Sequence, residues 1–261
     1  MELRFEIVMF VFMALCFKCF CFISLMQRYN QIVPNQGTIN IFTEKMTKLV
    51  IFDLDGTLID TREDIANACN YALEQCGYPK HALEDYNMLV GRGIDNLFRA
   101  ALPEGHRSEE MVSRMRSIFV PYYNEHKCDF TRPYDGMMEA LEELSLKGLR
   151  FAVASNKYQE GTEQLVEKFF GKYDFVRILG QRDGKPIKPD PMIVSEAMEG
   201  IPGITPEEVV YCGDSDVDMQ TGIGAGVRTI GVTWGFRTRE ELEAYSPYAL
   251  IDHPSEIAGK L

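Results

Sequence analysis

Lys48-Leu49-Val50-Ile51-Phe52 runs directly into Asp53-Leu54-Asp55-Gly56-Thr57. The first half is a short apolar run rich in β-branched side chains, the composition of a strand buried on both faces in a parallel sheet. The second half places two carboxylates where that strand must end. In an open parallel sheet, ligands bind beyond the carboxyl ends of the strands, so Asp53 and Asp55 stand where chemistry is expected. Asp55-Gly56 alone would pass for an ordinary turn. An aspartate terminating an apolar strand has fewer innocent explanations.

Outward from this stretch, the chain alternates strand and helix. From about Glu63 to Tyr122 the apolar residues follow a helical period, with Ile65, Ala68, Cys69, Ala72 and Leu73 on one stripe and Met111, Met115, Ile118 and Phe119 on another. Pro133-Tyr134-Asp135-Gly136 marks a return, and 137–147 reads as a helix stopped by Gly148. Candidate strands follow at 151–155, 175–179, 209–212 and 229–233. Strand–helix alternation implies right-handed crossovers. The expected fold is α/β, a doubly wound and mostly parallel sheet, with core segments 46–62 and 130–261 and a small α-helical domain at 63–129.

Composition narrows the function classes. The chain has 261 residues, and its 39 acidic against 27 basic side chains give a formal net charge of -12, which argues against a nucleic-acid partner. A small anionic substrate remains compatible, because a metal ion or a few local cations reverse the sign within one cleft. The seven cysteines (16, 19, 21, 69, 76, 128 and 212) form no disulfide framework, and a reducing cytoplasmic setting fits them better. Cys16-x-x-Cys19 sits in a greasy run and is given no redox or metal role.

Residues 1–45 are set apart. Residues 7–26 are apolar except for Lys18 and Ser24, long enough to cross a bilayer, but a central Lys18 is costly there. Glu2 and Glu6 weaken a signal-peptide reading. The preferred reading is that translation starts at Met46, with a membrane anchor through 7–26 as the alternative. Membrane contact is expected only if this segment is present.

The other strand ends carry matching chemistry. Ser155-Asn156 closes the second strand, Lys188 follows the third within Gly184-Lys185-Pro186-Ile187-Lys188-Pro189, and Gly213-Asp214-Ser215-Asp216-Val217-Asp218 closes the fourth. Carboxylates gathered at one rim repel unless a cation sits among them, and all-oxygen donors favour magnesium over zinc. The 214–225 stretch mimics a calcium loop, yet Met219 stands where glycine is required and Ala225 where glutamate is. Asp216 is read as structural. Gly222-Ile223-Gly224-Ala225-Gly226 lacks the third glycine of a nucleotide fingerprint and is read as a loop after a helix. The four histidines show no ligand spacing.

These four segments, in order, resemble the motifs of the haloacid-dehalogenase-like hydrolase superfamily, and the helical insert resembles its type-one cap. The resemblance spans residues 46–261. It implies an aspartyl-phosphate mechanism with Asp53 as nucleophile and Asp55 as acid and base. It further implies that Thr57 orients Asp55, and that Ser155 and amides near Asn156 hold phosphoryl oxygens. Lys188 would neutralise charge, Asp218 would support the metal shell or the lysine, and Mg2+ would lie on Asp53, the Asp55 carbonyl and Asp214. Val90-Gly91-Arg92-Gly93-Ile94 resembles the cap loop of phosphoglycolate-phosphatase-like members, with Arg92 meeting a substrate carboxylate or a second phosphate. The implied activity is hydrolysis of a small phosphorylated metabolite, first 2-phosphoglycolate, by a monomer or homodimer. The alternatives are a β-phosphoglucomutase-like phosphosugar mutase, a phosphosugar, pyrophosphate or nucleotide phosphatase, and, from a different class, a phospho-receiver module.

Overall fold

The computed structural model describes residues 46–261. The segment 1–45, with its anchor and start-site readings and the Cys16/Cys19 pair, lies outside the described residues. Among the described residues, no helix is long and apolar enough to cross a membrane.

β1 (Leu49–Phe52) is the spine of the molecule, with every residue buried. It lies between β4 (Arg150–Tyr158) and β6 (Val209–Gly213), parallel to both. β5 (Phe175–Gln181) extends the sheet on one side, and β7 (Arg228–Val232) and β8 (Ala249–Ile251) on the other. The order is β5-β4-β1-β6-β7-β8, and all pairs are parallel. Successive strand residues point to opposite faces, and the packing follows that rule. Val50, Phe52, Val153, Val210 and Cys212 fill the layer under α5 (Met137–Leu146) and α6 (Gln159–Phe170). Leu49, Ile51, Ala152, Ala154, Val209 and Tyr211 fill the opposite layer under α7 (Met192–Met198). A strand covered on both faces explains why β1 reads as a continuous apolar run rather than an alternation. Gly148 ends α5 in the left-handed region (φ 78°), with Leu149 N–H donating to Leu144 O, the closure that a C-terminal glycine permits.

Between β1 and α5 the helices α1 (Arg62–Gln75), α2 (Tyr86–Leu89), α3 (Ile94–Ala101) and α4 (Glu109–His126) pack about a separate hydrophobic cluster centred on Leu73, Tyr86, Phe98, Met115, Phe119 and Tyr123. Phe236, from the loop after β7, joins that cluster. Two features at the root of the helical segment carried little sequence signal: β2 (Ile59–Asp60) pairs antiparallel with β3 (Arg132–Pro133), each only two residues long. Beside them, buried Asp64 in the first turn of α1 accepts from the backbone N–H of Phe130 (3.1 Å) and Thr131 (2.8 Å) and from Thr131 Oγ1 (2.7 Å). One carboxylate thus ties the entry of the helical segment to its exit.

The expected strands are present with small shifts in their ends, and β2, β3 and β8 are additional. One expectation needs correction. Gly222, Ile223 and Gly224 are the last turn of α8 (Asp216–Gly224), not a loop. A Cβ on Gly222 would lie 2.3 Å from Thr229 Oγ1, so the glycine is there for close helix–strand packing.

Replacing Asp64 with alanine leaves two buried N–H groups and a hydroxyl without their acceptor. This change is expected to lower stability by about 2–4 kcal/mol in urea denaturation. A loss below about 0.5 kcal/mol would mean that the tie is not structural.

Candidate active site

Four strand ends meet as the parallel topology requires. Asp53 and Asp55 follow β1, Ser155 and Asn156 lie in the second half of β4, Lys188 is on the loop after β5, and Asp214 follows β6. At the centre, Lys188 is only 2% exposed and its Nζ lies 2.8 Å from Asp53 Oδ1, 2.7 Å from Asp218 Oδ1 and 3.1 Å from Tyr211 Oη. Burial alone would lower the ammonium's pKa, but Asp218 and Asp53 outweigh it and raise it above the ordinary lysine value. It is therefore a fixed positive charge.

The carboxylates are not fully balanced by it. Asp53 is buried, and its pKa is pushed up from 3.8 to about 7, chiefly by burial and then by repulsion from Asp218. Asp214 is raised well above its ordinary value, by burial first and by Asp218 and Asp53 next. Carboxylate oxygens of Asp53, Asp214 and Asp218 all lie within 4.8 Å of one another. Three acids against one lysine, out of water, is an arrangement that a hard cation completes.

The three are not equivalent as donors. Asp218 Oδ1 is taken by Lys188 and by Tyr211 Oη (2.8 Å), and Oδ2 accepts from Ser215 N–H (3.0 Å) and Oγ (2.6 Å). Its lone pairs are spent, so it braces the lysine. Asp214 accepts from Thr57 Oγ1 (3.0 Å) and from Phe236 N–H (2.7 Å) and keeps capacity on both oxygens. The ground around it is cleared. A Cβ on Gly56 would lie 2.4 Å from Asp214 Oδ2, and one on Gly235 2.3 Å from Asp214 Cβ. Asp53 and Asp214 are the side chains left to hold a metal.

The family model described as haloacid dehalogenase-like hydrolase matches residues 50–232. A phosphoglycolate phosphatase from Aquifex aeolicus (strain VF5) is 31% identical over 212 residues, covering 80% of this chain and 94% of that protein. The phosphoglycolate phosphatase of Pseudomonas putida (strain KT2440) is 32% identical over 220 residues, covering 83% and 80%. The crystal structure of a predicted phosphoglycolate phosphatase from Haemophilus somnus 129pt superposes with a TM-score of 0.76 at 27% identity, covering 84% of this chain and 98% of that one. The chain belongs to the haloacid dehalogenase-like hydrolases. It is a phosphatase of that family.

In this hydrolase several expected contacts are redistributed. Thr57 hydrogen-bonds to Asp214 rather than to Asp55, and Thr61 Oγ1 is the hydroxyl on Asp55 Oδ1 (2.8 Å). The Asn156 side chain is occupied as a clamp: Nδ2 donates to Gly91 O (3.0 Å) and Lys188 O (3.1 Å), and Oδ1 accepts from Lys188 N–H (2.9 Å). Ser155 is buried, and its Oγ accepts from Lys157 N–H (3.2 Å). Arg92, expected at the substrate, instead pairs with Asp216 Oδ2, with its side chain 54% exposed. Gly91 and Gly93, both at positive φ, do bring the 90–94 loop against the site, where Asn156 holds it.

Besides Thr61, three residues escaped the sequence reading. Lys157 Nζ lies 3.0 Å from Asp55 Oδ2. Its signal was the period of two: β4 continues past Ser155, so Ser155 and Lys157 share a side as Asp53 and Asp55 do. Tyr211 looked like a core residue and is one, except for its hydroxyl. Buried Arg237 donates to the carbonyls of Asn87 and Val90 (3.1 Å for the latter), and its Nε lies 3.6 Å from Asp216 Oδ1. Nothing in Gly235-Phe236-Arg237 announced a contact some 150 residues away.

The raised pKa values predict a pH-dependent response to metal. Asp53 and Asp214 bind protons more tightly folded than unfolded. Without a cation their contribution is present below about pH 4 and is lost as pH rises through about 7. Added MgCl2 is therefore expected to raise Tm more at about pH 8 than at about pH 5.5, by roughly 3 °C or more. An equal gain at both pH values would contradict this electrostatic account.

Proposed function

We propose that this hydrolase cleaves 2-phosphoglycolate, or a phosphomonoester of similar size, through an aspartyl-phosphate formed on Asp53. The observation that carries the reading is the position of Asp53: a buried carboxylate paired with Lys188, opening with Asp55 and Ser155 onto one cavity. The relatives named for phosphoglycolate support this choice of substrate. The helical segment 63–129 would serve as the cap that closes over the substrate.

In this mechanism an Asp53 oxygen attacks phosphorus while the bond to the ester oxygen breaks. Asp55 delivers its proton to the departing alkoxide. Asp55 then takes a proton from water, whose oxygen attacks phosphorus and releases phosphate and free Asp53. Thr61 and Lys157 hold Asp55 in place for both transfers. Ser155 Oγ and nearby amides would steady the phosphoryl oxygens, and Lys188 offsets their charge as well as that of the nucleophile. Magnesium, held by Asp53, the Asp55 carbonyl and Asp214, would supply electrostatic stabilisation of the phosphoryl group when bound. Ordered positive charge around a transferring phosphoryl group is where phosphatases gain most of their rate.

Asp53→Asn is expected to cut phosphate release from 2-phosphoglycolate by about a thousandfold or more while leaving the far-ultraviolet circular dichroism unchanged. EDTA should abolish wild-type turnover, and excess MgCl2 should restore it. Wild-type rates in purified Asp53→Asn would exclude this mechanism.

A further inference from the structure

The cavity beside Asp53 has a wall of unusual composition. The helical segment contributes Ile65, Val90, Ile94, Leu97 and Phe119, all apolar, together with Tyr123. Among the described residues lining the cavity, Lys157 is the single cationic side chain, and that side chain is 5% exposed. Its Nζ donates to Tyr123 Oη (2.9 Å) and pairs with Asp55 Oδ2 (3.0 Å). An ammonium has three N–H donors, so one is left over. Tyr123 is fully buried and accepts from Lys157, and its own O–H meets no acceptor among the described residues. Burial, and then the nearby charge of Asp55, keep that phenol protonated. A buried hydroxyl without an acceptor is costly in a folded protein and points to an absent partner.

Resting on the phosphatase reading above, we infer that Lys157 and Tyr123 together recognise an anionic group on the alcohol half of the substrate, a carboxylate in 2-phosphoglycolate. The two donor atoms are a hydrogen bond apart, spacing that lets one N–H and one O–H reach the two oxygens of a carboxylate. The apolar wall excludes water, so the charge is weakly screened there. A neutral alcohol offers nothing to these donors and leaves them unpaired, and a site built around polar donors rejects such an analogue more strongly than an apolar pocket does. Arg92 does not serve this purpose in the structure, because its guanidinium is engaged by Asp216. Lys157 comes from the sheet and Tyr123 from α4, so the cradle exists only while the helical segment is seated on the strand ends.

The test compares kcat/KM for 2-phosphoglycolate and for ethyl phosphate, which keeps the two-carbon frame and lacks the carboxylate, using the purified full chain. The ratio of the two values is the readout. Wild type is expected to favour 2-phosphoglycolate by about 100-fold, the scale of lost charge-assisted hydrogen bonds. Lys157→Met should reduce that ratio by roughly tenfold or more, Tyr123→Phe by a few fold, and Lys157→Arg should retain most of it. If Lys157 served only to hold Asp55, both substrates would slow together and the ratio would survive, which would overturn the inference. A wild type that hydrolyses both esters equally, in an Asp53-dependent manner, would overturn it as well and leave the phosphatase reading standing. Failure of wild type to hydrolyse either ester would remove the proposed reaction and this inference with it.

Discussion

Negative charge packed out of water is the constraint around which this molecule is arranged. Asp53, Asp214 and Asp218 lie within a few ångströms of one another with Lys188 as their buried counter-charge. Left alone, such a group would protonate or pull in solvent. The fold holds it by dividing the work. Asp218 is satisfied completely by Lys188, Tyr211 and Ser215, whereas Asp53 and Asp214 keep free oxygen and elevated proton affinity. That inequality separates a carboxylate that only supports from carboxylates that can act on something. The glycines at 56, 213 and 235 belong to the same device, since a Cβ at any of them would overlap an aspartate of the cluster.

The helical segment adds a second kind of control. It has its own hydrophobic cluster, tied at its root by Asp64 and clasped at its far side by Arg237, Asp216 and Arg92. Asp216 receives an arginine from each side and so couples the 90–94 loop to the loop after β7. Lys157, standing between Asp55 and Tyr123, connects the reacting end of the cavity to its apolar wall. In the proposed reaction the strand ends would supply the chemistry, and the helices the shape of the space before them. One family can therefore keep the first and vary the second.

The fold was legible because its signals are local. An apolar run broken by Asp53, a glycine stop at 148 and repeated strand–helix alternation each reflect short-range physics, and β1, α5 and a parallel sheet followed, though not the order of its strands. β2, β3 and β8 were not legible, because strands of two or three residues have no period to detect. Among the site residues, Asp53, Asp55, Ser155, Lys188 and Asp214 converge because each ends a strand or follows one in a parallel sheet. Thr57 bonds to Asp214 where Asp55 was expected, and Arg92 pairs with Asp216. Which neighbour a hydroxyl, an amide or a long cationic side chain selects is decided by groups dozens of residues away. Ser215-x-x-Asp218 was readable in principle as a capping box, and it would have assigned Asp218 its bracing role.

The central claim is that Asp53 carries the phosphoryl group during turnover. Acid-quenching the enzyme within its first turnovers on 2-phosphoglycolate, digesting it and mapping the peptides by mass spectrometry examines that claim directly. The account predicts one added phosphoryl group on the peptide containing Asp53, located on that side chain and chased away by further time before the quench. Phosphate produced at full rate with the label on any other residue, or with no labelled peptide at any quench time, would contradict it.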